Sequence, residues 1–326
     1  MAGSSWLWAV FTIVAAAAQT VRNAAQRELT GKLGTVGATQ VRFLFGCPFA
    51  VIFLLALLGA GGALPRPTLG FWPWLLGGAL TQIAATALML AAMRERSFVV
   101  AIAYIKTEPV QVALFGLLFL GDAVTPMMAA AIGIATAGVV VMSLKRPPPY
   151  PPPRPLPNPL PQAAEGRAGV TGEGRKEAGR GWRPTLLGLS AGAAFALSAI
   201  GYRGAILSLH DQSYVMAATF TMAAGLVVQS MLLTLYLALR KRAVLIAICA
   251  AWQPSLFAGF MGALASQFWF LAFALATAAN VRTLALVEVL FAQAISRFVF
   301  RQPVSAREGA GIAMIVIGVV LLMWAH

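Results

Sequence analysis

The amino-acid sequence predicts an all-α membrane protein with ten transmembrane helices, arranged as two inverted five-helix repeats. Of its 326 residues, 60% are hydrophobic and 10% are charged, whereas average soluble domains have about 45–50% and 25%. A membrane-spanning helix needs about 20 apolar residues, and the apolar runs of this chain provide for ten. Runs such as 127–144 and 309–325 show no alternation, which excludes a transmembrane β-barrel.

Polar breaks separate the apolar runs into five predicted helices before one long polar segment and five after it. The predicted ranges are 6–24, 36–58, 69–93, 98–120, 125–143, 184–207, 213–239, 254–277, 281–300 and 306–325. The first run ends in small residues, as a signal peptide does, but it lacks a positively charged n-region, and we expect it to be retained. The apolar stretch 243–252 is too short to span and is predicted to lie at the membrane interface.

The polar segment, residues 144–183, is predicted to be a linker without a packed core. It begins with RPPPYPPPRPLPNPLPQ and continues with EGRAGVTGEGRKEAGR. Dense prolines favour an extended polyproline II chain, and the glycine-rich remainder favours a flexible one. A docking site for a proline-binding partner is the alternative to a plain spacer. The linker separates a first repeat, 1–143, from a second, 184–326.

The two repeats align with each other at an offset of 180 residues. This offset lays Glu108 on Glu288, and it lays Gly138-Val139-Val140 on Gly318-Val319-Val320. Because five helices are an odd number, the second repeat must enter the membrane from the opposite side. Inverted repeats of this kind are typical of secondary transporters.

Basic residues indicate the orientation of the chain and not a nucleic-acid partner. Lys and Arg total 24 against 10 Asp and Glu, but the excess lies in the linker and beside the apolar runs. Counted by predicted loop, nearly all of it falls on the face that carries the linker, and the opposite face has a clear claim only to Arg66. The positive-inside rule then predicts a multi-pass inner-membrane protein with a cytoplasmic linker and both termini outside.

Ionisable residues inside predicted helices are the candidates for chemistry. A charge at the centre of a transmembrane helix costs about 2.5–3.5 kcal/mol on insertion scales, so it needs a partner, a water-filled cavity or a function. Lys106, Glu108 and Glu288 lie inside predicted helices, and Arg282 lies near the start of the predicted helix 281–300. The functional interpretation makes the two glutamates a pseudo-symmetric pair that lines a central cavity. The structural interpretation makes each a hydrogen-bonded clamp between helices, and the repetition alone does not decide between them.

Other polar residues extend this candidate pathway. Tyr104 and Gln111 share a helical face with Glu108, whereas Lys106 lies about 200° around the helix and must find another partner. Arg282 could hold a carboxylate or a phosphate. Gln82 and Gln267 occupy corresponding helices and could bond a substrate or join helices.

Several further side chains receive a structural interpretation. Arg22, Arg42 and Arg203 are interpreted as interface anchors, with substrate binding as the alternative, and Trp269 as a packing residue, with substrate stacking as the alternative. Small residues four apart, such as Gly309 with Ala313 and Ala129 with Gly133, are expected to allow close helix contacts.

The end of each repeat carries a family resemblance. The segments TEPVQVALFGLLFLGDAVTP and IGIATAGVVVM, with the later copy VEVLFAQAISRFVFRQPVSAREGAGIAMIVIGVVLLM, resemble the end of the EamA-type unit of the drug/metabolite transporter superfamily. Asp122 stands where that family usually has Glu, and Val289 replaces the proline after the second glutamate. The resemblance implies a ten-helix transporter. Its members more commonly have cytoplasmic termini, so the charge-based orientation departs from their habit.

Together these patterns predict a secondary transporter that exports a small metabolite, amino-acid-like compound or drug by alternating access. The expected partners are a small-molecule substrate, the lipid bilayer and protons, with no nucleic acid, and the expected assembly is a monomer or homodimer. No catalytic constellation, cofactor motif or metal-ligand run is present, so an enzyme is not expected. The alternative is a non-transporting scaffold or sensor, or a carrier of lipid head groups.

A carboxyl group alone in an apolar cavity can load and release a proton near neutral pH, whereas one beside a cation stays ionised and binds. We therefore expect one glutamate to couple protons and the other to anchor substrate or structure, with Glu108 favoured for coupling.

Overall fold

The computed structural model describes residues 6–95, 105–143, 182–291 and 306–325. Within these ranges the secondary structure is helical, with no strand. The helices whose two ends are described are α1 (Leu7–Gly59), α2 (Phe71–Glu95), α3 (Glu108–Leu120), α4 (Pro126–Ser143), α5 (Trp182–Leu207), α6 (Tyr214–Arg240), α7 (Arg242–Ala250), α8 (Trp252–Leu275), α9 (Ala278–Leu284) and α10 (Ala306–Ala325). Almost all of the predicted linker lies outside the described residues, so its conformation stays a prediction.

Helix α1 is a hairpin of two helical arms. Gly34 has φ 68° and ψ 178°, a left-handed φ that glycine adopts without a steric penalty. The Gln26 amide donates to the Ala38 carbonyl over 2.6 Å, although twelve residues of straight helix would span about 18 Å. The chain therefore folds back at Gly34. The sequence predicted a loop from 25 to 35, and the helical geometry instead continues to the turn itself.

The apolar helices are long enough for a multi-pass membrane protein. Five described segments meet the length and hydropathy expected of a span, namely Val36–Gly59, Leu186–Leu207, Tyr214–Arg240, Trp252–Leu275 and Ala306–Ala325. Large apolar side chains cover the outside of the bundle, including Leu118, Leu239 and Trp324. A bilayer, and not water, is the solvent that suits such a surface. The count of ten spans stays a prediction.

Glycines bring three pairs of helices into backbone contact. A Cβ on Gly201 of α5 would lie 2.7 Å from Gly78 Cα of α2, and one on Gly318 of α10 would lie 2.7 Å from the Ala131 carbonyl oxygen of α4. Gly259 of α8 packs equally closely on α1. Such contacts replace the hydrophobic driving force that helices lack in lipid.

The predicted contact glycines of the last helix in each repeat were wrong. Gly133 and Gly309 have open space where a Cβ would stand, whereas Gly138, Gly311 and Gly318 make the contact between α4 and α10. The spacing of small residues is the same on both faces, so spacing alone did not identify the face that packs.

Candidate substrate and ion-coupling site

Two helix breaks, about 180 residues apart in the sequence, position the candidate glutamates. The first break is a turn at Lys106 and Thr107, after which α3 begins at Glu108. Pro109 follows immediately, and its missing N–H cannot bond the carbonyl one turn earlier. The sequence predicted one continuous helix, 98–120, and the described residues contradict this at the turn.

The second break separates α9 from the helical stretch that begins at 287. Ala285 and Leu286 form a turn, and Leu286 and Glu288 donate their N–H groups three residues back, to Thr283 and Ala285. The predicted continuous helix 281–300 is therefore also interrupted, although no proline marks the place. Each glutamate thus lies at the start of a helix, where the positive end of the helix dipole favours a negative charge.

Each glutamate forms an ion pair with a basic residue of the other half of the chain. Lys106 Nζ contacts Glu288 Oε1, with 16% and 13% of the two side chains exposed. Arg282 Nε lies 3.1 Å from Glu108 Oε1, with 12% and 11% exposed. The two pairs are reciprocal, because each half contributes one acid and one base. Arg282 lies in the last turn of α9, where the negative end of that helix dipole favours a positive charge.

A glutamine and a tryptophan connect the two ion pairs. The Gln19 amide donates to Glu288 Oε2 over 3.1 Å, and its oxygen accepts from Trp269 Nε1 over 3.1 Å. The Arg282 guanidinium lies 4.8 Å from the centre of the Trp269 ring, a cation–π distance. The result is a continuous interaction path from Lys106 to Glu108, which draws on α1, α3, α8, α9 and the two breaks.

Gln19 was not predicted as a site residue, and for Trp269 a packing role was favoured over substrate stacking. A glutamine in the middle of the run VAAAAQTV was the available signal for the first. The tryptophan is 4% exposed and does pack, but its ring and its N–H also serve the charged network.

The pairing contradicts the expectation of an isolated carboxyl group. Both Glu108 and Glu288 face a cation within ion-pair distance, so neither stands alone in an apolar cavity.

The other predicted pathway residues divide between helix contacts and unpaired groups. Gln82 accepts from the Tyr202 hydroxyl over 3.1 Å and from the Gln229 amide over 2.7 Å, which joins α2 to α5 and α6. Gln267 donates to Thr219 over 2.7 Å. Of the two uses weighed for these glutamines, the structure gives them helix-to-helix hydrogen bonds.

Gln111 donates to Thr107 over 3.4 Å. Its Oε1 is buried without a hydrogen-bond partner in the described part of the chain, so it keeps a free acceptor near the first break. Tyr104 lies outside the described residues.

The three arginines interpreted as interface anchors are instead enclosed by helices. Arg22 and Arg42 are 5% and 7% exposed, and both belong to α1. Arg203 of α5 lies 3.5 Å from Asp122 and donates from Nη1 to the Phe273 and Ala276 carbonyls. The anchor interpretation is wrong for all three, because a side chain that reaches the interface would be exposed. Because Arg22 is enclosed by the helices, it no longer counts among the loop residues whose charges predicted the orientation.

Among the described residues, no group of three His, Cys, Asp or Glu side chains lies close enough to hold a metal ion.

The fold and this site define a class, a multi-pass helical membrane protein with an enclosed ion-pair network between its two halves. Residues 6–144 match the EamA-like transporter family. This part of the chain is similar to that family, which lies within the drug/metabolite transporter superfamily, and the match agrees with the resemblance stated from the sequence.

The fold also has a solved counterpart. One crystal structure superposes with a TM-score of 0.63 at 15% identity, over 98% of this chain and 94% of the other. At this identity the likeness shows the fold alone. No curated protein sequence matches the chain.

Proposed function

We propose that this protein is a secondary transporter that exports a small metabolite by alternating access of two inverted repeats. The observation that carries the proposal is the reciprocal pairing of Lys106 with Glu288 and of Arg282 with Glu108 at two helix breaks. Secondary transporters form their substrate and ion sites from discontinuous helices where the repeats meet. The match of residues 6–144 to a transporter family supports the same function.

The pattern of helix contacts supports the two-repeat arrangement. An offset of 180 residues relates α2 to α8, α5 and α6 to the two arms of α1, and α4 to α10. Helix α2 packs on α5 and α6, and its counterpart α8 packs on α1. Helix α4 packs on α10, its own counterpart. Two repeats related by a pseudo-two-fold axis would produce this exchange of partners.

The Lys106–Glu288 pair is the better candidate for proton coupling. A lysine and a glutamate can both become neutral by transfer of one proton, whereas arginine keeps its charge in proteins. A proton on Glu288 removes its attraction for Lys106 and releases a contact between the repeats. Glu108, held by Arg282, then serves as the anchor. This assignment reverses the preference for Glu108 that the sequence suggested.

The orientation belongs to the same proposal, with residues 144–183 in the cytoplasm as a spacer and the protein in the inner membrane as a monomer or homodimer. Single cysteines placed in the linker should resist an impermeant maleimide added to intact cells. Labelling from outside would reverse the orientation.

The direct test is transport by the purified full chain in proteoliposomes, with a panel of radiolabelled amino acids, organic acids and drugs. We expect accumulation of one class of solute that increases when a proton gradient is imposed. Glu288→Gln should lose gradient-driven accumulation and keep gradient-free exchange. Glu108→Gln should lose both, because Arg282 is left without its acid.

The matched control is Asp211→Asn, which changes an exposed carboxylate outside the network and should transport normally. Absence of transport of every solute by the folded wild-type protein would favour the scaffold or sensor alternative. Normal activity of both glutamine variants would contradict the assigned roles.

A further inference from the structure

We propose that Arg22 and Arg42 form a binding site for an anionic group, and that the substrate therefore carries a carboxylate or a phosphate. This inference rests on the proposed transport function and adds the chemical class of the substrate. It starts from two enclosed guanidinium groups that the ion-pair network does not use.

Arg22 and Arg42 face each other across the α1 hairpin. The turn at Gly34 brings Gln26 beside Ala38, and the next pair along the two arms, four residues further from the turn on each side, is Arg22 and Arg42. A Cβ on Gly262 of α8 would lie 3.3 Å from Arg22 Cδ and 3.5 Å from Arg42 Cγ. The two side chains therefore flank one point, and the absence of a side chain at Gly262 leaves room for them.

The site lies well inside the bundle. Arg22 is twelve residues and Arg42 eight residues from Gly34, which places them about 18 Å and 12 Å along their arms at 1.5 Å per residue.

Neither arginine is neutralised by the described residues. Arg22 Nη2 donates to Asn23 over 2.7 Å, but its Nε and Nη1 and the Nε of Arg42 are buried without a hydrogen-bond partner in the part of the chain that the structure describes. Lys106, Arg203 and Arg282 each face a carboxylate, and within that same part Arg22 and Arg42 do not.

Two enclosed positive charges that face no acid among the described residues are costly, and an anion brought into the site would remove that cost. A guanidinium presents its N–H donors as a planar fork that matches the paired oxygens of a carboxylate or a phosphate. The stems of both arginines lie beside Gly262, and two guanidinium groups on side chains this close can bind a single anionic group between them.

The anion site is next to the ion-pair network. Arg22 and Gln19 are three residues apart and share one face of α1, and Gln19 bonds Glu288. A small molecule held by its anionic group at the arginines would place its remaining atoms one helical turn away, beside the Lys106–Glu288 pair. Binding and proton loading would then act on adjoining groups.

The test measures equilibrium binding, independently of transport, by the purified full chain in a maltoside detergent free of phospholipid. The probes are radiolabelled inorganic phosphate and radiolabelled succinate, with unlabelled succinamide as a neutral competitor. We expect saturable binding of at least one anion that succinamide does not displace. Short-chain phosphatidic acid is added in a separate arm, because a lipid phosphate presents the same chemistry.

Arg22→Gln and Arg42→Gln should each weaken anion binding about tenfold or more, the effect of losing a charged hydrogen-bond donor. Arg42→Lys keeps the charge without the fork and should fall in between. Arg240→Gln, an exposed arginine at the end of α6, should bind like wild type. Displacement of phosphate or succinate by the short-chain lipid at lower concentration would assign the anionic group to a lipid head group.

The inference would be overturned if the wild-type protein bound neither anion. It would also be overturned if both glutamine variants bound the anions as tightly as the wild-type protein does. Transport of a cationic or neutral solute without anion binding would leave the proposed function intact while removing this site. Anion binding without transport of any solute would support this site and contradict the proposed transport function.

Discussion

At the scale of single residues, Arg203 shows how one enclosed side chain can join three elements. Its Nη2 lies 3.5 Å from Asp122, in the turn after α3, and its Nη1 donates to carbonyls at the end of α8. The last carbonyls of a helix have no partner within the helix, and a basic side chain there also favours the helix dipole. Arg203 therefore connects α5 to both neighbours.

We predict that Arg203→Gln lowers the free energy of unfolding by about 3 kcal/mol, the scale expected when one partner of an enclosed ion pair is removed. Asp122→Asn should cost less, because Arg203 keeps its two carbonyl acceptors. Thermal unfolding in detergent measures both, with Arg242→Gln, whose Nε bonds the Ala238 carbonyl at an exposed position, as control. Equal melting temperatures for the Arg203 and Arg242 variants would contradict this role.

Individual site residues were predictable from the sequence, but their partners were not. Lys106, Glu108, Glu288 and Arg282 drew attention because a charge in an apolar run is costly. The reciprocal pairing depends on how α3 and α9 approach each other, and no local pattern encodes that. The enclosed position of Arg22 and Arg42 has the same origin, since a basic residue near a helix end usually reaches the interface.

At the scale of elements, the contact between α2 and α5 depends on glycine. A Cβ on Gly201 would lie 2.7 Å from Gly78 Cα and 2.9 Å from the Trp74 carbonyl oxygen, and neither backbone atom can move without the helix. Gly201→Ala should cost about 1–3 kcal/mol from overpacking. Gly77→Ala adds a methyl group into open space and should be neutral or stabilising, because alanine favours helix.

Chemical denaturation of Gly201→Ala and Gly77→Ala, measured in parallel, compares their free energies of unfolding. A Gly201→Ala protein as stable as Gly77→Ala would show that the two helices are not in backbone contact.

Most helices were predictable because long apolar runs must become helices in lipid. Their interruptions were harder to predict. Pro109 was a signal for the first break, but the second, at Ala285 and Leu286, has no proline or glycine to mark it. The two arms of α1 also include the polar residues that separate the first two apolar runs. A single glycine in the turn is enough to end one helix and reverse the chain, so both arms can continue up to Gly34.

At the scale of the whole molecule, the proposed transport mechanism requires that the reciprocal ion pairs between the two halves open during transport. The 180-residue offset in the sequence predicts the repeat, and the contacts of α2 with α5 and of α8 with α1 are those expected from that offset. The ion pairs lie where α3 of the first half approaches α9 of the second half.

Exchange of the charges of one pair tests this claim most directly. Lys106→Glu and Glu288→Lys alone each oppose two like charges inside the bundle, and each should reduce proteoliposome transport at least about tenfold, since such repulsion costs several kcal/mol. The double variant restores opposite charges across the same contact and should recover a large part of transport. A double variant as inactive as the two single variants, or single variants with normal transport, would contradict the claim.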